Sequence, residues 1–134
     1  MDPQLLKDNF ALVGKNGEGV AAFFYADLFQ RNPGLRGLFP AEMGRQHQML
    51  LDALARIVER VDDAGQLVPF LQDLGRRHVR YGVAPEHYAE VGTSLLATLE
   101  HFSGPAWNEE LRQGWATAYG LVSQVMVEAA GSPV

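Results

Sequence analysis

The chain has 134 residues, of which 47 % are hydrophobic and 20 % charged, as expected of one folded domain spanning residues 1–134 rather than a disordered segment. A formal net charge of −5 argues against non-specific nucleic-acid binding. The absence of cysteine excludes disulfides, thiolate metal sites, iron–sulfur clusters and cysteine nucleophiles.

Met1-Asp2-Pro3-Gln4 lacks the basic and apolar segments of a signal peptide. The longest apolar run, Val20 to Ala26, is too short to insert in a bilayer. A cytoplasmic protein is expected. Along the chain the apolar spacing is helical rather than strand-like. Asp2 caps a first helix with Pro3 in its first turn. Asn16-Gly17-Glu18-Gly19 bends the chain, and a second helix carries Val20, Phe23, Phe24 and Leu28 on one side. Asn32-Pro33-Gly34 stops it, and a short element with Leu35, Leu38 and Phe39 closes at Pro40. The spacing Leu50, Leu54, Ile57, Val61 predicts a helix from Gly44 to Val61, followed by a turn at Asp62-Asp63-Ala64-Gly65. Leu67, Leu71, Leu74, His78 and Tyr81 share the next helical face, which ends at Gly82. Pro85-Glu86 starts a helix burying Tyr88, Val91, Leu95, Leu99 and Phe102. After Ser103-Gly104-Pro105, a last helix lines up Leu111, Trp115, Ala118, Tyr119, Val122 and Met126, and the tail from Gly131 is expected to fray. The fold class is therefore all-α, with six to seven helices. Its amphipathic outer faces point to a monomer, with a weak dimer as the alternative.

Four residues invite a chemical reading. His78 points inward one turn after Leu74, with Arg76, Arg77 and Arg80 beside it. Taken alone it reads as a core histidine bonded to backbone; its sharper reading is a metal or heme ligand with arginines placed for anionic propionates. Tyr25 is either a core tyrosine or a donor inside a pocket. Gln46, one turn before Leu50, is either a surface amide or an N–H donor to a ligand. Phe39 alone is a hydrophobic anchor. There is no phosphate-binding glycine loop, compact zinc pattern or nucleophile elbow.

In order, these residues resemble the globin family, specifically the bacterial single-domain globins and the heme domain of flavohemoglobins. The resemblance is carried by Phe24-Tyr25-Ala26-Asp27-Leu28-Phe29, Pro33, Leu38-Phe39, Leu74-Gly75-Arg76-Arg77-His78, Tyr81-Gly82-Val83, His87-Tyr88, Val91-Gly92, Trp115 and Tyr119-Gly120. It implies a globin fold packed around one b-type heme (iron protoporphyrin IX), with His78 as the proximal iron ligand and Tyr25 and Gln46 as the distal pair. By the same resemblance Phe39 wedges the heme and Leu50 packs over its distal face. Leu74, Val83, Tyr88, Val91 and Met126 line the rest, and Arg77 pairs with a propionate. The implied function is reversible binding of dioxygen and other diatomic gases such as nitric oxide and carbon monoxide. The alternative is a nitric oxide dioxygenase working with a separate reductase, because no flavin or nicotinamide domain follows. A one-residue shift would set His47 in place of Gln46. In flavohemoglobins a tyrosine and a late glutamate surround the proximal histidine. Tyr88 matches the tyrosine, whereas Ala130 stands at the glutamate position and Glu128 lies two residues earlier. A third class, a cofactor-free helical interaction module, requires the inward polar residues to be coincidental.

Overall fold

The structure, a computed structural model, describes residues 2–131. Six α-helices follow in order: α1 (Pro3–Gly14), α2 (Glu18–Arg31), α3 (Gly44–Glu59), α4 (Ala64–Arg80), α5 (His87–Ser103) and α6 (Glu109–Ala130). Short 3-10 segments, Pro33–Leu38 and Gly104–Ala106, precede α3 and α6. Among the described residues there is no strand, and no helix is long and apolar enough to cross a membrane.

The helix starts follow from local chemistry. Asp2 accepts from the backbone N–H groups of Gln4 and Leu5 at 3.0 and 3.4 Å. Asn108 accepts from Leu111 N at 2.9 Å. Each side chain satisfies N–H groups that a helix start leaves unpaired. Asp63 does the same for Gln66 N, so Ala64 and Gly65 open α4 instead of completing the expected turn. At the other end α3 stops at Glu59, two residues short of expectation, because Arg60 and Val61 bond three residues back to Ile57 and Val58. α5 begins at His87 rather than Pro85. The Ala84 and Pro85 carbonyls accept from His87 N and Tyr88 N in a tight turn, and His87 Nδ1 accepts from Ala84 N at 2.9 Å.

The helices bury their apolar faces in two separate clusters. One joins α1, α2, α5 and the first half of α6 through Leu6, Val13, Val20, Phe24, Tyr25, Leu28, Leu99 and Trp115. The other joins α4 to the second half of α6 through Leu67, Leu71, Val122 and Met126. α3 lies along both: Leu50 and Leu54 pack on the first cluster and Ile57 on the second.

Two contacts hold these layers. Inside the first cluster Trp115 Nε1 donates to Asn9 Oδ1 at 2.8 Å, and Asn9 Nδ2 donates to Ser103 Oγ at 2.9 Å. One buried amide thereby ties α1, α5 and α6. In the second cluster α4 crosses α6 at Gly75, where a Cβ would lie 2.8 Å from Met126 Cα. That is backbone against side-chain space, so only glycine fits without moving the helices.

Asn9→Ala would leave the Trp115 N–H buried and unpaired, and its unfolding free energy in urea should fall by about 1–3 kcal/mol. Gly75→Ala should cost about 1–3 kcal/mol in the same measurement by over-packing the α4–α6 crossing; Gly120→Ala, where a Cβ meets nothing within 4 Å, is its control and should instead stabilise α6 by about 0.5–1 kcal/mol.

Candidate functional site

His78 sits one turn beyond the Gly75 crossing, half-buried on α4. Its Nδ1 is 2.7 Å from the Leu74 carbonyl oxygen. A carbonyl only accepts, so Nδ1 carries the proton and Nε2 is left with a lone pair. Burial, joined by the nearby Arg77 charge, pushes the imidazole below its ordinary pKa, and the Leu74 bond pulls the other way. The neutral ring is the form a metal takes. Helix α4 closes immediately afterwards. Gly82 adopts φ +85°, Gly82 N donates to Val79 O and Val83 N donates to His78 O at 3.0 and 3.1 Å. This paired closure turns the chain back and keeps Val83 beside His78.

Around the imidazole the structure gathers most of the expected neighbours. Leu74 and Tyr88 pack against the α4–α6 cluster, of which Met126 is a buried member. The Tyr88 ring centroid is 6.5 Å from that of His78. Tyr119 Oη donates to the Tyr88 carbonyl at 2.7 Å, and its ring fills the space over Gly92, where a Cβ would lie 2.7 Å from it. One expected neighbour, Tyr81, takes another position. It was expected on the inward face with His78. The helix ends at Arg80, so Tyr81 is 50 % exposed and meets His78 only edge-on at 5.9 Å. Arg77 Nε lies 3.1 Å from Asp73 Oδ2, one turn back, yet that buried atom makes no well-directed hydrogen bond. Glu128 accepts from Gln124 Nε2 at 3.1 Å on the exposed side of α6, away from this group.

The second polar group belongs to the other cluster. Tyr25 is 5 % exposed on α2, stacked on Phe29 at 5.8 Å and edged by Phe24 and Phe39 at 5.0 and 5.4 Å. Gln46 Nε2, from the first turn of α3, donates to Tyr25 Oη at 3.0 Å. Burial raises the Tyr25 pKa and the Gln46 bond partly offsets it, so the hydroxyl keeps its proton. With a lone pair taken by Gln46, that proton is free for another acceptor. His47, the neighbour that a one-residue shift would have substituted, points elsewhere. Its Nδ1 is 3.2 Å from Glu18 Oε1, and its ring lies against Tyr25.

Phe39, Leu50 and Val91 are half-buried and pack on the same cluster as Tyr25. Leu54 extends this lining and Ile57 packs on the other cluster; neither was singled out as a site residue. Their signal was present in the Leu50-Leu54-Ile57 spacing. The Glu18–His47 contact carried no such signal, because it joins residues 29 positions apart.

The family model described as Globin matches residues 22–126. A flavohemoprotein of Bordetella parapertussis is 36 % identical over 126 residues, covering 92 % of this chain and 31 % of its own length. One from Chromobacterium violaceum is 32 % identical over a similar stretch. The chain thus spans about a third of the length of the curated relatives it matches. Among solved structures, a bacterial globin from Campylobacter jejuni superposes with a TM-score of 0.83 at 26 % identity, covering 96 % of this chain and 93 % of that one. The myoglobin of Aplysia limacina superposes at 0.84 with 19 % identity, covering 97 % and 96 %, a likeness of fold. A match over most of the chain, joined to this all-helical architecture, makes the protein a member of the globin family.

Proposed function

We propose that this globin binds heme through His78 and reversibly holds dioxygen or another small diatomic gas beside Tyr25. The observation that carries the reading is the His78–Leu74 hydrogen bond, which fixes a neutral imidazole with Nε2 unspent. The residues fit the group in two further respects. Half-buried apolar side chains, namely Phe39, Leu50, Leu54, Leu74 and Val91, come from both packed clusters. The Arg77 Nε is a buried donor without a well-directed acceptor, suited to a heme propionate. Heme held by His78 would supply the iron that binds a small diatomic gas reversibly.

The remaining work falls to the chain. Leu74 O holds the imidazole plane and keeps its proton on Nδ1. Gln46 donates to the Tyr25 oxygen, so the Tyr25 O–H is turned outward and made a stronger donor. Tyr25 is therefore the direct donor to the gas, with Gln46 behind it, a division of labour that the sequence left undivided. In a water-poor pocket such a bond to a partly charged acceptor contributes about 1.5–3 kcal/mol. A monomeric cytoplasmic protein carrying b-type heme is the setting we assign to this activity.

Nitric oxide dioxygenation with a separate reductase is the second reading, favoured by the flavohemoprotein relatives. The proximal geometry favours reversible binding instead. His78 Nδ1 bonds a backbone carbonyl, and the late carboxylate Glu128 is engaged by Gln124 on the outer surface. Among the described residues no carboxylate bonds the imidazole to strengthen its electron donation.

Heme-replete protein should show an intense blue absorption band that His78→Gly weakens or shifts and added imidazole restores; an unaltered spectrum in the variant would remove His78 from the iron. Tyr25→Phe should speed dioxygen release about 10–100-fold in stopped-flow, and Gln46→Leu by less. Mixing the oxygenated protein with nitric oxide, with and without a reductase, separates the two readings. Sustained turnover with the reductase supports the dioxygenase, and a single turnover supports the carrier.

A further inference from the structure

Beside the Tyr25–Gln46 hydrogen bond lies a second, separate polar contact, made by the next residue of α3. His47 lays its ring nearly parallel to that of Tyr25, with centroids 5.5 Å apart and planes 11° apart. Phe29 also stacks on Tyr25, at 5.8 Å and 27°. The His47 Nδ1 is held by Glu18 Oε1 at 3.2 Å. A carboxylate accepts, so Nδ1 donates. The side chain of Glu18 is 60 % exposed and that of His47 16 %, so the contact runs from the surface inward.

The two helix starts joined by this contact are otherwise weakly held. α3 follows Met43 and α2 follows Gly17, and neither of these residues offers a side-chain cap. A start without a side-chain cap leaves N–H groups unpaired, though in α2 Gly19 N and Val20 N donate to the Asn16 and Gly17 carbonyls. α3 also begins on Gly44, which costs backbone entropy to order. The first turn of α3 is then pinned to α2 by two consecutive side chains: Gln46 on the Tyr25 hydroxyl and His47 on Glu18.

We propose that His47 and Glu18 form a clamp that positions Tyr25, holding its ring by stacking and holding Gln46 in reach of its hydroxyl by anchoring the first turn of α3. His47 is thus a positioning residue, acting through Tyr25 and not on the bound gas. This rests on the heme reading above. The clamp accounts for a histidine that is neither a core residue nor turned toward His78. It also accounts for an exposed glutamate at the start of α2 whose partner lies on another helix.

The test is made on the heme-loaded protein, with the infrared stretch of bound carbon monoxide as a probe of the distal donor and dioxygen release as a second readout. The native protein and Glu18→Gln, which keeps an acceptor for Nδ1, should give one dominant stretch band and slow release. His47→Leu and Glu18→Ala should add a second band, at the frequency of Tyr25→Phe, and speed release about 3–10-fold, as expected for partial loss of one hydrogen bond. Added to Tyr25→Phe, neither change should have any further effect, because the clamp acts through that hydroxyl. A native-like band and release rate in both His47→Leu and Glu18→Ala would overturn the proposal, as would equal effects in the Tyr25→Phe background. Glu18→Ala, on the surface, keeps the test open if His47→Leu does not fold. Failure of the native protein itself to bind carbon monoxide would overturn the heme reading instead.

Discussion

The close crossing of α4 on α6 at Gly75 sets where α4 places His78. With no side chain at that residue, the two backbones come within the distance a Cβ would occupy. α4 then spends its apolar stripe on α6 rather than on α3, and Leu67, Leu71, Val122 and Met126 form a cluster of their own. His78 lies three residues beyond the crossing, on the edge of that cluster. The Gly82 closure stops the helix before it can carry the imidazole further. Because packed interiors resist displacement, an error at the crossing would be passed directly to the imidazole.

The two polar groups are held by different means, and the difference bears on chemistry. His78 is oriented by its own helix, through a carbonyl four residues back. That bond needs no partner from another element and adds no full negative charge to the ring. Tyr25 is oriented by another helix, through Gln46, with His47 and Glu18 behind it. The orientation of His78 is therefore set within one helix, with the Arg77 charge nearby. Around Tyr25 two separate hydrogen bonds, Gln46 to Tyr25 and His47 to Glu18, tie the first turn of α3 to α2. A group arranged in this way suits a protein whose proposed task is to hold a small gas and let it go.

Elsewhere the fold rests on a small number of buried polar contacts. Asn9 joins three helices through Trp115 and Ser103, and Tyr119 fixes the start of α5 at Tyr88. Both are side chains that would be costly to bury without these partners. They specify one arrangement of helices whose apolar faces alone would tolerate several.

By itself the sequence determined the all-α class, most helix limits within about two residues, and the inward placement of His78 and Tyr25. It could do so because caps, glycine stops and apolar spacing are local, and each acts within a few residues of its cause. The order of Tyr25, Phe39, Gln46, His78 and Tyr88 was enough to bring the globin resemblance into view. Local rules misjudged Tyr81, since a helix ending one residue early removes it from the shared face. They also misjudged the Asp63 turn, where a strong cap converts a turn into a helix start. Only the tertiary structure decided that Gln46 rather than His47 reaches the Tyr25 hydroxyl. It alone turned His47 toward Glu18. The physical reason is that these choices depend on how α2 and α3 cross, and crossings are set by packing between residues far apart in the chain.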